Sequence, residues 1–589
     1  MALNSLNKLS GPGQAKRSGL TQYFPFLAWL THYRRELFVG DLLAGLIVAI
    51  MLVPQGMAYA LLAGLPPEIG LYASIAPLII YGLLGTSRTL AVGPVAIVSL
   101  LVASGISPLA EPGTADYVRL ALTLAFLVGM IQFSLGLIRL GFLVNFLSHP
   151  VLAGFTSAAA IVIGFSQIKH LLGYPVPRTD YFYESVLYTL GHLVSTNLVA
   201  VGIGLGSIVI LVYFKHGLGR HLNRLGLNKG AIIPLAKSGP LIVVAVGTLL
   251  VWSFGLNEAG ELKVVGDVPA GLPPLTGPVT DVEVWRALLP TALAISFVGY
   301  MESISVAKSL ASKRRQKVSA DQELVALGAA NFGATFMGGY PVTGGFSRSV
   351  VNFSAGANTG LASIITAGLI AFTVVFLTPL FYFLPQAVLA AIILVAVAGL
   401  IDVATLKHVW RYNKADAISM LATFLAVLAL GVEIGILVGM AAALALYIWR
   451  TSRPHMAIVG RVGHSETYRN ILRHQVKTCP HVIAVRVDES LYFANTKYLE
   501  DKILQLVSDR PEVKHFVLIG IAINFIDASA LETLEALMRE LRDAGVSFHL
   551  ADIKGPVMDR LKKVGFVAQV GADKIHLSTH DAMKAVGCT

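Results

Sequence analysis

Arg348 places a full positive charge in an otherwise apolar, glycine- and proline-broken stretch, Gly339-Tyr-Pro341-Val-Thr343-Gly-Gly345-Phe-Ser347-Arg348-Ser349. A comparable stretch without a charge, Thr89-Leu-Ala-Val-Gly93-Pro94-Val-Ala96-Ile-Val-Ser99, sits in the first half of the chain. Irregular backbone at membrane depth is tolerated where it lines a cavity, and one such segment per half points to a transporter's substrate site. If Pro94 and Val342–Thr343 open short helices whose N-termini face one another, their unpaired N–H groups and positive dipole ends make an anion site. Arg348 could then add a full charge within the first turns of its half-helix. The competing readings are a structural pair with Glu302 or a place at the cytoplasm-facing end of a short helix.

Gln55 and Tyr59 lie four apart, on one face of a helix disturbed by Pro54. An amide donor and an aromatic rim suit a small oxyanion, although Gln55 could instead cap a carbonyl freed by Pro54 and Tyr59 could simply pack. The small residues Val95, Ala96, Thr343 and Ser347 would complete the wall, consistent both with close backbone approach and with ordinary helix packing. Glu302 lies deep in an apolar helix with Ser305 about one turn away. A carboxyl there could carry a coupling proton: protonated, it lets a divalent anion share the cavity, and it releases its proton with the substrate. The other reading is a permanent Glu302–Arg348 pair, which gains little over apolar packing.

Enzymatic chemistry has little support. No nucleophile–base pair, phosphate-binding loop or metal-ligand array is present, so catalysis, ATP-driven transport, a cofactor and a metal are not expected. Gly202-Ile-Gly204-Leu-Gly206 falls inside an apolar segment without a flanking strand and reads as helix packing. His216 and His221 fall in a basic loop and read as solvated surface, and Glu433 reads as a polar turn between closing spans. Cys479 and Cys588 are the only cysteines, too few and too far apart in sequence to suggest a disulfide framework or a zinc site.

The elements that must position these residues are membrane spans. Hydrophobic residues make up 55% of the 589-residue chain, charged residues 13%, and the mean hydropathy is +0.70. Soluble chains carry nearer a quarter charged residues. Apolar runs long enough to cross, or pairs of shorter ones, fall near 40–62, 68–85, 93–107, 117–138, 142–168, 193–214 and 231–255. The second half repeats the pattern near 286–309, 321–338, 343–356, 359–378, 383–401, 415–431 and 434–450. Seven spans per half force the second half to insert upside down, with the broken segment third in each.

Charge placement agrees with that count. With the N-terminus inside, Arg139, the Lys215–Lys237 cluster, Lys308–Lys317 and Lys407–Lys414 face the cytoplasm, as the positive-inside rule requires. The connection Asn257–Glu283 holds Glu258, Glu261, Asp267, Asp281 and Glu283 against Lys263. The net charge of +11 therefore reads as anchoring to anionic lipid, with no nucleic-acid partner expected. Met1–Leu20 is polar and basic without an apolar core, so no cleaved signal is expected.

After Arg450 the pattern becomes soluble. Strands are expected at Val482–Val487, His515–Ile521 and Ser547–Ala551, alternating with helices at Thr496–Val507, Ser529–Ala544 and Pro556–Val564, which indicates an α/β sheet. Asp527 reads as an N-cap, with Ser529 placed where a phosphate would be favoured.

The runs Val53-Pro54-Gln55-Gly56-Met57-Ala58-Tyr59-Ala60, Gly70-Leu71-Tyr72, Gly85-Thr86-Ser87-Arg88, Gly299-Tyr300-Met301-Glu302-Ser303 and Phe346-Ser347-Arg348-Ser349 resemble, in order, signatures of the SulP sulfate permease family. These are bacterial relatives of the vertebrate multifunctional anion exchangers and prestin. The tail looks like a STAS domain, the module shared with anti-sigma factor antagonists. The resemblance implies a polytopic α-helical membrane protein of 14 spans, a 7+7 inverted repeat forming core and gate domains, plus a cytoplasmic α/β STAS domain. It divides the chain into an N-terminal segment at 1–37, a first repeat at 38–255, an extracytoplasmic connection at 256–285, a second repeat at 286–450 and the STAS domain at 451–589.

It further implies secondary active transport of an inorganic anion by alternating access, sulfate first, with proton coupling through Glu302. Sodium-coupled bicarbonate or dicarboxylate uptake and chloride exchange occur in the same family, and sodium-coupled members use an acidic residue and hydroxyls here as a cation cage. Outside carriers, the scaffold could serve as a channel-like anion conductor. The family places substrate against Gln55, Tyr59 and Arg348, aligns Ser529 with the phosphorylated serine of anti-sigma factor antagonists, and suggests a homodimer. Both termini are expected in the cytoplasm of a bacterial inner membrane protein.

Overall fold

Apolar residues run nearly unbroken from Leu42 to Leu62, and the segment folds as one 28-residue helix, α1 (Arg35–Leu62), with Pro54 inside it. At about 1.5 Å per residue it spans roughly 42 Å, enough to cross a bilayer with tilt. One side is buried in protein, while Phe38, Leu42, Leu43 and Leu46 stay exposed, as a lipid-facing surface requires. The computed structural model describes residues 24–31, 33–142, 148–174, 176, 182–226, 232, 235–259 and 262–588. Met1–Leu20, the start of the 142–168 span, Lys229, the beginning of the 231–255 span and Glu261 lie wholly or partly outside these residues, as does the side chain of Glu433.

The first half continues with α2 (Pro67–Tyr72), α3 (Ala76–Leu84), α4 (Ala96–Ile106), α5 (Ala115–Leu137), α6 (His149–Ser166), α7 (Leu198–Tyr213) and α8 (Gly239–Phe254). The second contains α9 (Val282–Lys313), α10 (Ala320–Phe336), α11 (Phe346–Ser354), α12 (Leu361–Phe376), α13 (Gln386–Val397), α14 (Lys414–Leu430) and α15 (Val432–Thr451). Each apolar run read from the sequence contains a helix. Among the described residues, eight helical stretches are long and apolar enough to cross a membrane, and α4, α8 and α12 are shorter apolar helices.

The halves interlock by exchange. Helix α5 packs on α9 and α10 of the other half, and α12 packs reciprocally on α1 and α3. Likewise α14 packs on α6, and α7 on α13. Small residues permit the close approach: a Cβ on Gly328 would lie 2.8 Å from the Gly129 carbonyl oxygen across the α5–α10 contact. Two buried carboxylates fasten loops of the opposite half. Asp41 on α1 accepts from the N–H groups of Asn358 and Thr359 and from the Thr359 and Tyr33 hydroxyls. Glu323 on α10 accepts from Thr86 N, Ser87 N, the Thr86 hydroxyl and the Tyr81 phenol.

The chain separates into two compact units, Met1–Ala441 and Ala442–Thr589. The second contains a six-stranded sheet of order β4-β3-β5-β6-β7-β8, formed by β3 (Met456–Arg461), β4 (Tyr468–Asn470), β5 (Val482–Val487), β6 (His515–Ile519), β7 (Ser547–Ala551) and β8 (Ile575–His576). Strands β5 to β8 run parallel, and β3 joins antiparallel. Helices α16 (Thr496–Ser508), α17 (Ala528–Asp543) and α18 (Gly555–Lys563) bury one face around Val485, Phe516, Leu518 and Leu550. The other face packs Ala582 and Met583 of α19 (Thr579–Ala585) on Val482, Ala484, Val517 and Ile519. The sequence did not disclose β3, β4, β8 or α19; β4, β8 and α19 are short, and β3 follows directly on the last membrane helix.

The cysteine expectation is overturned. Cys479 and Cys588 are disulfide-bonded, with Cα atoms 6.0 Å apart across 109 residues. The return of α19 over the sheet brings the chain end beside the start of β5. Proximity there is a product of the sheet fold, which residue spacing does not register.

Candidate functional site

The two broken segments meet. Before each short helix the chain runs extended for two residues, β1 (Val92–Gly93) and β2 (Thr343–Gly344), and the two pair antiparallel with Val92 opposite Gly344 and Gly93 opposite Thr343. Gly345 N–H adds a bond to Ala91 O at 3.1 Å. Pro94 and Val342–Thr343 therefore do not open the helices as expected: α4 starts at Ala96 and α11 at Phe346. Pairing of the extended residues satisfies backbone groups that a helix start would leave open, and defers each helix by two or three residues.

Buried polar side chains hold this crossing. Asn331 on α10 accepts from Val342 N–H at 2.8 Å and donates to Val342 O at 3.1 Å. Ser303 on α9 accepts from Gly344 N–H at 2.8 Å and lies 2.7 Å from the Thr343 hydroxyl, which itself donates to Gly299 O. Tyr340 and Ser99 share a bond at 2.8 Å. Thr343 is thus corrected from a wall residue to a structural one, since it is buried and absent from the cavity lining. Asn331 escaped the sequence reading although a polar amide in an apolar helix is a sign of function or internal pairing.

Arg348 sits at the junction, only 2% exposed. Its Nη1 donates to Pro94 O of the opposite segment at 2.5 Å, while Nε and Nη2 are buried without a hydrogen-bond partner. Gly345 makes room for the guanidinium, because a Cβ there would lie 3.0 Å from Nη2. Glu302 is near enough to feel Arg348 electrostatically, yet its Oε2 is also buried without a partner. Among the described residues the two form no direct ion pair, so the structural Glu302–Arg348 bridge is not what the fold contains.

Both groups border a cavity of about 420 Å³. Gln55, Tyr59, Val95, Ala96, Glu302, Ser347 and Arg348 line it on one side, and α7, α8 and α13 close the other through residues such as Leu211, Pro240 and Ile392. Gln55 makes no hydrogen bond to a described residue, so its amide is not consumed in capping a carbonyl near Pro54. Ser305 is exposed and does not line the cavity, and Ser303 is the hydroxyl that reaches the crossing. Lys215 and Lys237, read from the sequence only as loop charges, border the cavity, and Lys215 Nζ is anchored on Val395 O at 3.1 Å. In the second unit Asp527 caps α17 by accepting from Ala530 N–H, and Ser529 is exposed in its first turn. Among the described residues no cluster of His, Cys, Asp or Glu has the geometry of a metal site.

A buried guanidinium with two unpartnered nitrogens, between two short-helix N-termini on a cavity wall, is chemically suited to hold an anion. The model of the sulfate permease family matches residues 38–423, and that of the STAS domain matches residues 473–582. Probable sulfate transporter 4.2 of Arabidopsis thaliana is 37% identical over 573 residues, 95% of this chain and 83% of that protein. High affinity sulfate transporter 2 of Stylosanthes hamata is 32% identical over 590 residues, 97% of this chain and 87% of that protein. The murine Slc26a9 anion transporter in the inward-facing state has the same architecture, with a TM-score of 0.88 at 26% identity over 99% of this chain and 98% of that one. The transmembrane domain of the cyanobacterial bicarbonate transporter BicA shares the fold, with a TM-score of 0.59 at 23% identity over 70% of this chain and 98% of that one. The chain is therefore a multi-pass membrane transporter and not an enzyme, and it belongs to the sulfate permease family.

Proposed function

We propose that the protein is a secondary active anion carrier that takes up sulfate together with protons by alternating access. The observation that carries this reading is Arg348, moored by one nitrogen to Pro94 O and offering two buried, unpartnered nitrogens at the cavity. Planar guanidinium donors suit the oxygen pair of a tetrahedral oxyanion. The positive helix ends at Ala96 and Phe346, with Gln55 and Ser347, supply weaker donors around the same volume. The relatives named as sulfate transporters support sulfate as the substrate.

Glu302 is the coupling group in this reading. Two like unit charges 4 Å apart repel by about 4 kcal/mol at an effective dielectric of about 20, so a dianion beside an ionised Glu302 is disfavoured. Protonation of Glu302 removes that repulsion and leaves Arg348 free for the substrate, and departure of the anion restores the drive to lose the proton. Alternating access follows if α1, α4, α9 and α11 move as one body past α7, α8 and α13, carrying the site across the barrier.

In this reading the protein resides in a bacterial inner membrane with both termini in the cytoplasm, supported by the basic Lys215–Lys237 and Lys308–Lys317 segments on one side. It works as a homodimer in contact with anionic lipid, and Ser529 offers an accessible hydroxyl for regulation. Labelled sulfate and bicarbonate uptake into proteoliposomes under imposed proton or sodium gradients tests the assignment. Saturable sulfate uptake driven by inward acid-to-alkaline gradients supports it. Sodium-driven bicarbonate uptake, or unsaturating conductance, sinks it.

A further inference from the structure

The helices that frame the Arg348 cavity also frame a second space beyond it. On α1, Met51, Gln55 and Tyr59 line the first cavity, and Leu61 and Leu62 line the next. On α4, Val95–Ile97 belong to the first and Leu100, Ala103 and Ser104 to the second. Along α1 the two are two residues apart, Tyr59 to Leu61, and along α4 three, Ile97 to Leu100, roughly 3 and 5 Å of rise. The second space is a vestibule of about 720 Å³, and it shares Lys169, His170, Val176 and Gln386 with an adjoining cavity of about 160 Å³. On α7, Ala200 lines the smaller cavity and Leu211 the Arg348 cavity, so the two lie toward opposite ends of that helix.

The positive charge of this far chamber comes from two lysines. Lys169, His170 and Lys263 line the smaller cavity, and among the described residues neither lining includes an Asp or Glu. The group is built into the fold. Gln386 N–H donates to Lys263 O at 3.0 Å, and Gln386 Oε1 lies 3.1 Å from His170 Nδ1. An amide oxygen can only accept, so Nδ1 carries the proton and Nε2 is the nitrogen left for another partner. Gly173, with φ +77, turns the chain directly after Lys169 and His170, and Asn197 N–H fastens that turn to Leu172 O.

We propose that Lys169, His170 and Lys263 form a second binding site for oxyanions, an antechamber that concentrates substrate at the far end of the vestibule, toward the opposite end of α7 from the Arg348 cavity. Cationic clefts with low-dielectric walls raise the local concentration of anions and speed their capture. This proposal rests on the transport reading only for its physiological purpose; binding can be measured apart from transport.

The test uses the full chain purified in detergent, with sodium sulfate as the probe against sodium chloride at equal ionic strength. In Arg348→Ala, sulfate should still raise the unfolding temperature, and Lys169→Gln with Lys263→Gln in that background should remove the rise. Lys169→Arg with Lys263→Arg should restore it, which separates lost charge from damaged folding. In proteoliposomes, Lys169→Gln with Lys263→Gln should raise the KM for sulfate about fivefold and flatten its salt dependence. Loss of all sulfate stabilisation in Arg348→Ala alone, or its persistence after both lysines are neutralised, overturns the antechamber. Absence of sulfate uptake by the unaltered protein would refute the transport reading, while the stabilisation assay would still decide the second site.

Discussion

The membrane unit buries carboxylates in two different ways. Asp41 and Glu323 are each saturated by four donors, two of them backbone N–H groups of the opposite half. Glu302, on the cavity, has an oxygen with no partner at all, and Arg348 beside it has two such nitrogens. Buried polar atoms are nearly always satisfied, and an unsatisfied one in a native fold calls for an explanation. The saturated carboxylates stitch the two repeats together. The unsatisfied pair keeps its bonding capacity for something that arrives.

The contrast breaks most visibly if Glu323 is cut away. Glu323→Ala would orphan the buried N–H groups near Ser87 and the Tyr81 phenol, with a stability loss of about 3 kcal/mol or more. Thermal unfolding in detergent should fall sharply, with little purified protein recovered. If stability is unchanged, the division between stitching and working carboxylates fails.

Arg348→Ala should act on transport instead, lowering kcat/KM for sulfate on the order of 30–100-fold, the value of a lost charge-assisted pair of hydrogen bonds. Weakening should be greater for divalent than for monovalent anions. Arg348→Lys should rescue poorly, since one ammonium cannot hold Pro94 O and a substrate with the same geometry.

Glu302→Gln is expected to abolish gradient-driven accumulation while sparing sulfate exchange, with a stability change within about 0.5 kcal/mol because the amide oxygen can still accept from the Phe346 N–H. Unchanged accumulation would remove Glu302 from coupling. Ser303→Ala sits between the classes: it orphans Gly344 N–H next to the site and should cost about 1–2 kcal/mol in stability with a modest rise in KM.

The smallest effect lies outside the membrane. His515, His549 and His576 form a row across β6, β7 and β8, with ring nitrogens 3.2 and 3.3 Å apart. Burial first, then the neighbouring His515 and His576, push His549 down from 6.5 to about 4. Below pH 6.5 the unfolded chain takes up a proton that the folded ring refuses, so stability present at neutral pH is lost as pH falls toward 4. Denaturant titrations that follow the sheet should show this slope, and His549→Gln should flatten it.

Much of the architecture was legible. Each apolar run contains a helix, while short helices such as Phe182–Gly191 and Val403–Tyr412 fall between the runs, and alternation of β-branched and helical stretches located three strands and three helices of the tail to within two residues. Gln55, Tyr59, Val95, Ala96, Ser347, Arg348 and Glu302 were all singled out from their types, and all line one cavity. Thr343 was misplaced because a residue's identity does not say which way it turns when a strand replaces the first turn of a helix, and Ser305 because spacing along α9 does not say which of its faces meets the cavity. Lys215 and Lys237 looked like loop charges because nothing local shows that α7 and α8 end at the cavity.

Residue pattern carried the membrane class, two similarly patterned halves and the single arginine in one of two broken segments, since hydropathy and Gly/Pro breaks act locally. Tertiary structure alone decided that β1 and β2 pair, that Arg348 is held by a carbonyl from the other half, that Glu302 stands apart from it, and that Cys479 meets Cys588. The strand pairing, the mooring of Arg348 and the disulfide join residues more than 100 positions apart, and such contacts are fixed only when the interlocked helices and the sheet close around them.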